Sequence, residues 1–352
     1  MMRNLLLKPI NVVARLRGHD AVWASIQAHR LERRLDEFFG SIAESALTAR
    51  ARRRLPAVVD ATPALGLSAV DRYWGNHTVR GKTFLSRAAS LEYIAELTDG
   101  RPLKRELLKL HGPHTDKVIL DYGCGPGNDL AGFAEFSGAS RIIGVDISRK
   151  ALESARRRLS WHVRDPSQFA FIRITDGNGS LPFESASIDY IQSLGVIHHA
   201  SNPGRVLAEL SRVLRPDGEM RIMLYNADSL HIQLEIGFVW QIESEQLAGE
   251  SPEAAFSRTA DLGAPVAHCV RPADVQSWLT DTDLHAEFLG GFFVPGEAAD
   301  WHEKRARALE NVRVQGQQRQ FLEELSPGSD GLPHYRGLPA GLGAVYVLRK
   351  RG

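Results

Sequence analysis

Two cysteines in 352 residues, Cys124 and Cys269, exclude a disulfide scaffold. No apolar stretch approaches membrane-span length, so nothing in the chain reads as a transmembrane helix. The formal charge is only +1, from 43 Lys and Arg against 42 Asp and Glu, which removes any global electrostatic case for nucleic acid. There is no internal repeat and no low-complexity tract. The histidines and acids show no metal-ligand spacing, so no metal is expected. What is present is ordinary globular composition, 43% hydrophobic and 24% charged. The length exceeds what one α/β core requires without reaching two full domains. Arg3, Lys8, Arg15 and Arg17 imitate a targeting presequence, but Leu5 to Leu7 is too short for a secretory core. The expected location is cytoplasmic.

The most informative stretch runs from Val118 to Asn128, Val-Ile-Leu-Asp-Tyr-Gly-Cys-Gly-Pro-Gly-Asn. A short apolar run is the mark of a strand covered on both faces of a parallel sheet. The glycines that follow allow a sharp turn and let a ligand lie against bare peptide units. Leu130 to Phe136 then reads as a helix, whose N-terminus favours negative charge. The dinucleotide fingerprint G-x-G-x-x-G is not met, because its third glycine would fall at Asn128. The pattern is instead Asp121-x-Gly123-x-Gly125-x-Gly127. A phosphate ligand disfavours a carboxylate at Asp121, whereas a ligand carrying an ammonium favours it. S-adenosylmethionine, with an amino group and a positive sulfonium, fits. Cys124 reads as small packing within the same loop.

Three further strands follow in order. Arg141 to Val145 ends at Asp146, where a carboxylate can accept hydrogen bonds from both ribose hydroxyls. Ile147 can then cover one face of an adenine. Phe171 to Ile174 leads into Thr175-Asp176-Gly177, where Asp176 can accept an adenine amino proton. Ile188 to Ser193 leads into Leu194 and on to His198-His199. A helix over Leu210 to Leu214 closes on the turn Pro216-Asp217-Gly218, and a fifth strand spans Glu219 to Tyr225.

With these residues in this order, the run from Val118 to Tyr225 resembles the core of a class I S-adenosylmethionine-dependent methyltransferase. It is similar to the subgroup of ubiquinone, menaquinone and natural-product small-molecule enzymes. The resemblance implies an α/β, Rossmann-like sheet of seven strands in the order 3-2-1-4-5-7-6. His285 to Val294 and Gly343 to Leu348 supply the antiparallel sixth and seventh. It also implies S-adenosylmethionine as cofactor, held by Asp121, Gly123, Cys124, Gly125, Gly127, Asp146, Ile147, Asp176, Gly177 and Ser193.

The rest divides into an N-terminal helical extension over residues 1–70 and a methyltransferase domain over 71–352. From Ala21 to Leu55, apolar residues recur at three-to-four spacing, a helical extension for packing on the core or on a second subunit. A homodimer through these helices is therefore an expectation. A basic arm for nucleic acid at Arg50, Arg52, Arg53 and Arg54 is the weaker reading, given interleaved acids and no aromatic platform. Pro56 to Pro63 reads as a linker. The resemblance implies that the segment around Tyr73, Trp74 and His77 folds over the cofactor; an aromatic anchor on the core is the alternative.

Residues 226–270 form an insertion longer than a simple crossover, read as a lid over the acceptor, with an apolar helix from His231 to Trp240. Trp301 to Leu325 reads as helical. Tyr73, His77, Tyr225 and His231 are the expected substrate contacts, with His268 and Tyr335 as weaker ones. His198 and His199 follow the fourth strand, where acceptor meets methyl group, and either is a candidate general base. The leading expectation is methyl transfer to a small molecule without nucleic acid. The alternatives are an RNA-modifying methyltransferase, a non-catalytic S-adenosylmethionine-binding scaffold, and a dehydrogenase, weakened by Asn128.

Overall fold

The computed structural model describes residues 45–61, 67–176, 180–247 and 249–351. The chain divides into two compact units, residues 1–50 and 51–352. Of the extension expected over residues 1–70, residues 1–44 and 62–66 lie outside the described residues, as does any homodimer through those helices. Among those that are described, no helix is long and apolar enough to cross a membrane.

The second unit is built on β2 (Val118–Tyr122), β3 (Arg141–Asp146), β4 (Phe169–Arg173), β5 (Ile188–Leu194) and β6 (Leu214–Asn226), which pair in parallel in the order β4-β3-β2-β5-β6. Beyond β6 come β9 (Gly343–Lys350) and then β8 (Leu284–Phe292), with β9 lying between β6 and β8 and running antiparallel to both. Consecutive strand residues divide between the two faces. Leu120 and Ile143 join a core on one face, while Ile119 and Ile142 join a second on the other. That alternation explains the uninterrupted apolar runs of a sheet covered on both sides. The turn expected at Pro216 to Gly218 lies where the β5–β6 register shifts, between the Leu214 pairing and that of Glu219.

Among the described residues the sheet has nine strands rather than seven. Val58–Asp60 (β1) pairs in parallel with β4 at the edge, and the short β7 (Cys269–Val270) pairs with β6. The expected linker from Pro56 to Pro63 is thus corrected, since three of its residues are edge strand. Arg54 donates to the carbonyls of Ser160 at 2.9 Å and Val163 at 3.1 Å, so its guanidinium serves packing rather than a nucleic-acid arm.

Four helices position the site. α1 (Ala69–Asn76) opens with a capping box in which Ser68 and Asp71 exchange hydrogen bonds at 3.0 Å. α2 (Arg87–Asp99) and the short α3 (Lys104–Leu108) follow. α4 (Asn128–Phe136) starts directly from the glycine loop and packs beside α5 (Arg149–Leu159). Gly127 is the hinge of this arrangement, with φ +81°, and a Cβ there would sit 2.8 Å from the Ala155 Cβ on α5. Both strain and overlap oppose any side chain. Gly127→Ala is expected to cost about 1–3 kcal/mol and lower the thermal midpoint by several degrees. An unchanged melting curve would remove the close approach from the account.

The insertion after β6 contains α7 (His231–Glu243), a helix of π type, as in Ser244 N–H donating to the Val239 carbonyl five residues back at 3.0 Å. The helix was expected, but its wider winding was not. Leu230, Leu234 and Phe238 enter a cluster with Trp301, Phe321 and Leu322, while Ile232 and Ile236 enter another with Phe256. The segment expected as one helix from Trp301 to Leu325 is two, α10 (Trp301–Glu310) and α11 (Gly316–Glu324), on which α7 rests. (α6, Pro203–Val213, α8, Pro252–Thr259, and α9, Pro272–Trp278, complete the helices from β5 onward.)

Candidate functional site

The carboxyl ends of β2, β3 and β5 open into one cavity of about 590 Å³. This volume suits a nucleoside-sized molecule together with a small partner. Its floor is the glycine loop. Gly123 N–H and Cys124 N–H both donate to the Val145 carbonyl, at 2.7 and 3.0 Å, which turns the chain back over β3. Gly125, at φ +53°, has no heavy atom within 4 Å of where a Cβ would point, so the peptide is bare there.

Asp146 holds this loop in place. Its Oδ2 accepts from Gly125 N–H at 2.8 Å and its Oδ1 from Ser148 N–H at 2.7 Å. Burial raises its pKa, and the backbone donors pull it back. Asp121 sits behind the loop, 3% exposed, and its Oδ2 has no hydrogen-bond partner. Burial, with Asp129 and Asp146 nearby, holds its pKa well above the carboxylate range. A buried carboxyl oxygen without a donor is what an incoming ammonium would satisfy. The residues present therefore fit the methionine end of the expected cofactor.

Ile147 and Asp176 line the same cavity, as do Gly123, Cys124 and Gly125. Asp176 accepts from Ser201 N–H at 3.0 Å and Ser201 Oγ–H at 2.5 Å, while its own N–H donates to Asp71 Oδ1 at 2.9 Å. That bond ties α1 down over the cavity, which Val70, Trp74 and His77 line. Burial holds the Cys124 thiol protonated. Gly127 packs on α5 and is not on the wall. Gly177 lies outside the described residues. Ser193 is corrected: its hydroxyl is fully buried with no hydrogen-bond partner, and the wall is made by the next residues, Leu194 to Val196.

Beyond the loop the cavity becomes an aromatic chamber beside α7, with Tyr225, His231, Trp240 and Phe256 on its wall. His231 N–H donates to Glu297 Oε1 at 3.0 Å, and Glu297 Oε2 also accepts from Val294 N–H at 2.9 Å and Leu342 N–H at 3.2 Å. This carboxyl anchors the start of α7, and burial pushes its pKa up to about 7. A raised folded-state pKa means the folded protein keeps a proton that the unfolded chain releases near pH 4.5. Stability therefore falls as pH rises from about 4.5 to 7. Glu297→Gln is expected to flatten that part of a melting-temperature profile; an unaltered slope would assign it to another group.

The two candidate bases have different fates. His198 is fully buried, stacks on Tyr225 at 3.9 Å between centroids, and has no partner for either ring nitrogen. Burial keeps it neutral, and it is not on the cavity wall, so the expectation of a catalytic His198 is corrected. His199 does line the cavity, but both its nitrogens are engaged. Nδ1 donates to the Val266 carbonyl at 2.6 Å, and Nε2 meets Asp261 Oδ2 at 3.0 Å. Tyr225 Oη donates to the same Asp261 oxygen, and Tyr73 Oη donates to the Asp261 carbonyl. Tyr73 itself is off the wall, stacked on His77 at 4.0 Å. His268 and Tyr335 are also off the wall.

Sequence reasoning missed Asp261 entirely, along with Arg80, Arg101, Lys104 and Asp129 on the wall. Only Asp129 had a local signal, its place in the first turn of α4, where it meets His111 Nε2 at 3.0 Å.

Comparison with known proteins agrees with this geometry. Residues 120–222 match the methyltransferase-domain family. Over 242 residues the chain is 30% identical to trans-aconitate 2-methyltransferase of Azoarcus sp. strain BH72, covering 67% of this chain and 81% of that one. The chain belongs to the class I S-adenosylmethionine-dependent methyltransferases. It is also 26% identical to 27-O-demethylrifamycin SV methyltransferase of Amycolatopsis mediterranei, across 74% of this chain and 89% of that protein. Shorter matches are 34% identical. One spans 40% of a protein in transposon TN4556 of Streptomyces fradiae, and the other 33% of malonyl-[acyl-carrier protein] O-methyltransferase of Legionella pneumophila. In this methyltransferase Asp146, Asp176 and the glycine loop share one cavity with the aromatic chamber beside α7.

Proposed function

We propose that this methyltransferase transfers the methyl group of S-adenosylmethionine to a small-molecule acceptor enclosed beneath α7. The observation that carries the reading is the continuity of one cavity from the Gly125 loop to Tyr225 and Trp240. The donor, when bound, supplies an activated methyl group on a sulfonium leaving group. The chain's task is then alignment and exclusion of water. Holding two reactants in line can supply roughly 7–11 kcal/mol of the barrier.

In this reading Asp121 takes the ammonium and Gly123 to Gly125 the methionine backbone. Asp146 takes the ribose, and Ile147 and Asp176 take the adenine. His77, Tyr225 and His231 contact the acceptor. His199 does not serve as a free base, because its nitrogens are tied to Val266 and Asp261. An acceptor that is already ionised needs no base.

Calorimetry tests the donor: S-adenosylhomocysteine is expected to bind and NAD is not, and NAD alone binding would overturn the assignment. Labelled-methyl transfer into a metabolite extract, but not into total RNA, is the expected outcome for the acceptor. Label in RNA only would favour the nucleic-acid reading, and label in neither would favour a scaffold.

A further inference from the structure

Every carboxylate on the cavity wall is engaged. Asp129 meets His111, Asp146 holds the loop, Asp176 holds Ser201, and Asp261 meets His199 and Tyr225. The cations on the same wall are not. Among the described residues Lys104 and Arg101 donate only to the Leu97 carbonyl, at 3.2 and 2.8 Å, and Arg80 makes no hydrogen bond. Among the described residues none of the three pairs with a carboxylate. Lys104 is the most telling of them, at 7% exposed with an ammonium that has two further protons to donate. Burial lowers its pKa to about 8 against the opposing pull of Asp129, with Arg80, Arg101 and Arg105 adding to the fall, and burial followed by Arg80 lowers that of Arg101. Asp129 acts on Lys104 and Asp261 on Arg80, but both carboxylates are already bonded elsewhere, so the cations still repel one another and an anion between them lowers that cost.

Their place in the fold separates them from the ribose end of the donor. α3 packs on β8 and β9, and the Lys104 ammonium lies 6.0 Å from the Phe292 ring centroid at the end of β8. Leu108 shares a cluster with Phe292, Leu194 and Met223, at or near the ends of β8, β5 and β6. Arg80 lies near enough to Tyr225 and Asp261 to act on both electrostatically. This side of the cavity lies across β2 from Asp146, with Asp129 at the start of α4 also acting on Lys104, and in the function proposed above it is the acceptor's half. The donor brings one carboxylate, which can occupy one of the three cations at most, and its sulfonium and ammonium leave it with a net positive charge.

Resting on the function proposed above, we infer that Arg80, Arg101 and Lys104 form an anion subsite, and that the acceptor carries a carboxylate or phosphate group. The test uses protein saturated with S-adenosylhomocysteine, so that the donor's own carboxylate is already in place. Tricarballylate and inorganic diphosphate are then titrated by calorimetry. Binding of either is expected, and which one binds more tightly names the acidic group. In Arg80→Gln, Arg101→Gln and Lys104→Gln, measured separately, at least two variants are expected to lose anion affinity 10-fold or more. Their affinity for S-adenosylhomocysteine should change less than threefold. Arg80 is exposed, so its variant remains informative if the buried Lys104 variant does not fold. Three results overturn the inference: no anion binding to the saturated protein, fewer than two sensitive variants, or a parallel loss of S-adenosylhomocysteine affinity in all of them. Failure of S-adenosylhomocysteine to bind the parent protein would instead overturn the donor assignment.

Discussion

Asp146→Ala is expected to weaken S-adenosylhomocysteine binding by about 100-fold or more. Two effects act together. The carboxylate end of β3 loses its hydrogen bonds to the ribose, and charge-assisted bonds of this kind contribute about 1.5–3 kcal/mol each. The same carboxylate accepts from Gly125 and Ser148, so its removal also frees the peptide on which the methionine portion would lie. Asp146→Asn separates the two effects. An amide keeps the shape but turns one donor-bearing end toward a backbone N–H, so an intermediate loss is expected. Calorimetry measures the affinities, and circular dichroism melts show whether the loop alone has failed. Unchanged affinity in a folded Asp146→Ala protein would refute the ribose assignment.

The place of Asp146 at the strand end beside the glycine loop was legible in the sequence because its signal is local: an acid at the end of an apolar strand, following a glycine loop. The same holds for the parallel strands, whose residues are buried on both faces and so read as unbroken apolar runs. β1 escaped because it is an edge strand of three residues between prolines, and Val59 in it is 59% exposed. Apolar periodicity announced a helix at His231 but not its π winding, since α7 is packed on more than one side and no single stripe sets the turn. His198 and His199 illustrate a sharper limit. They are chemically identical neighbours on one turn, and only tertiary packing walls off one and turns the other to the cavity. Lys104, Arg80 and Asp261 lie in three separate segments of the chain, and nothing in their local sequence reports that they share a wall.

Asp261→Ala is expected to unlatch the lid without removing the donor cradle. Asp261 lies in the turn after α8, within the insertion, and collects contacts from three other places. His199 reaches it from the turn after β5, Tyr225 from the end of β6, and Tyr73 from α1. His199 and Tyr225 help to hold its carboxyl below the usual carboxylate range despite burial, so it is an acceptor at neutral pH and a poor base. With the insertion taken as a lid, these contacts would hold it shut. Losing the two side-chain bonds removes about 2–4 kcal/mol of closure. Backbone amides between residues 250 and 263 are then expected to exchange with solvent roughly 30-fold to several hundred-fold faster. S-adenosylhomocysteine should also dissociate faster, with a smaller change in the exchange of the β2 and β3 amides. Tyr225→Phe should give part of the effect. His199→Ala combined with Asp261→Ala should give less than the sum of the single changes, since both break one bond. If exchange in this segment is unaltered in Asp261→Ala, or if the β2 and β3 amides open to the same extent, Asp261 is not a latch and the lid is held by α7 packing on α10 and α11.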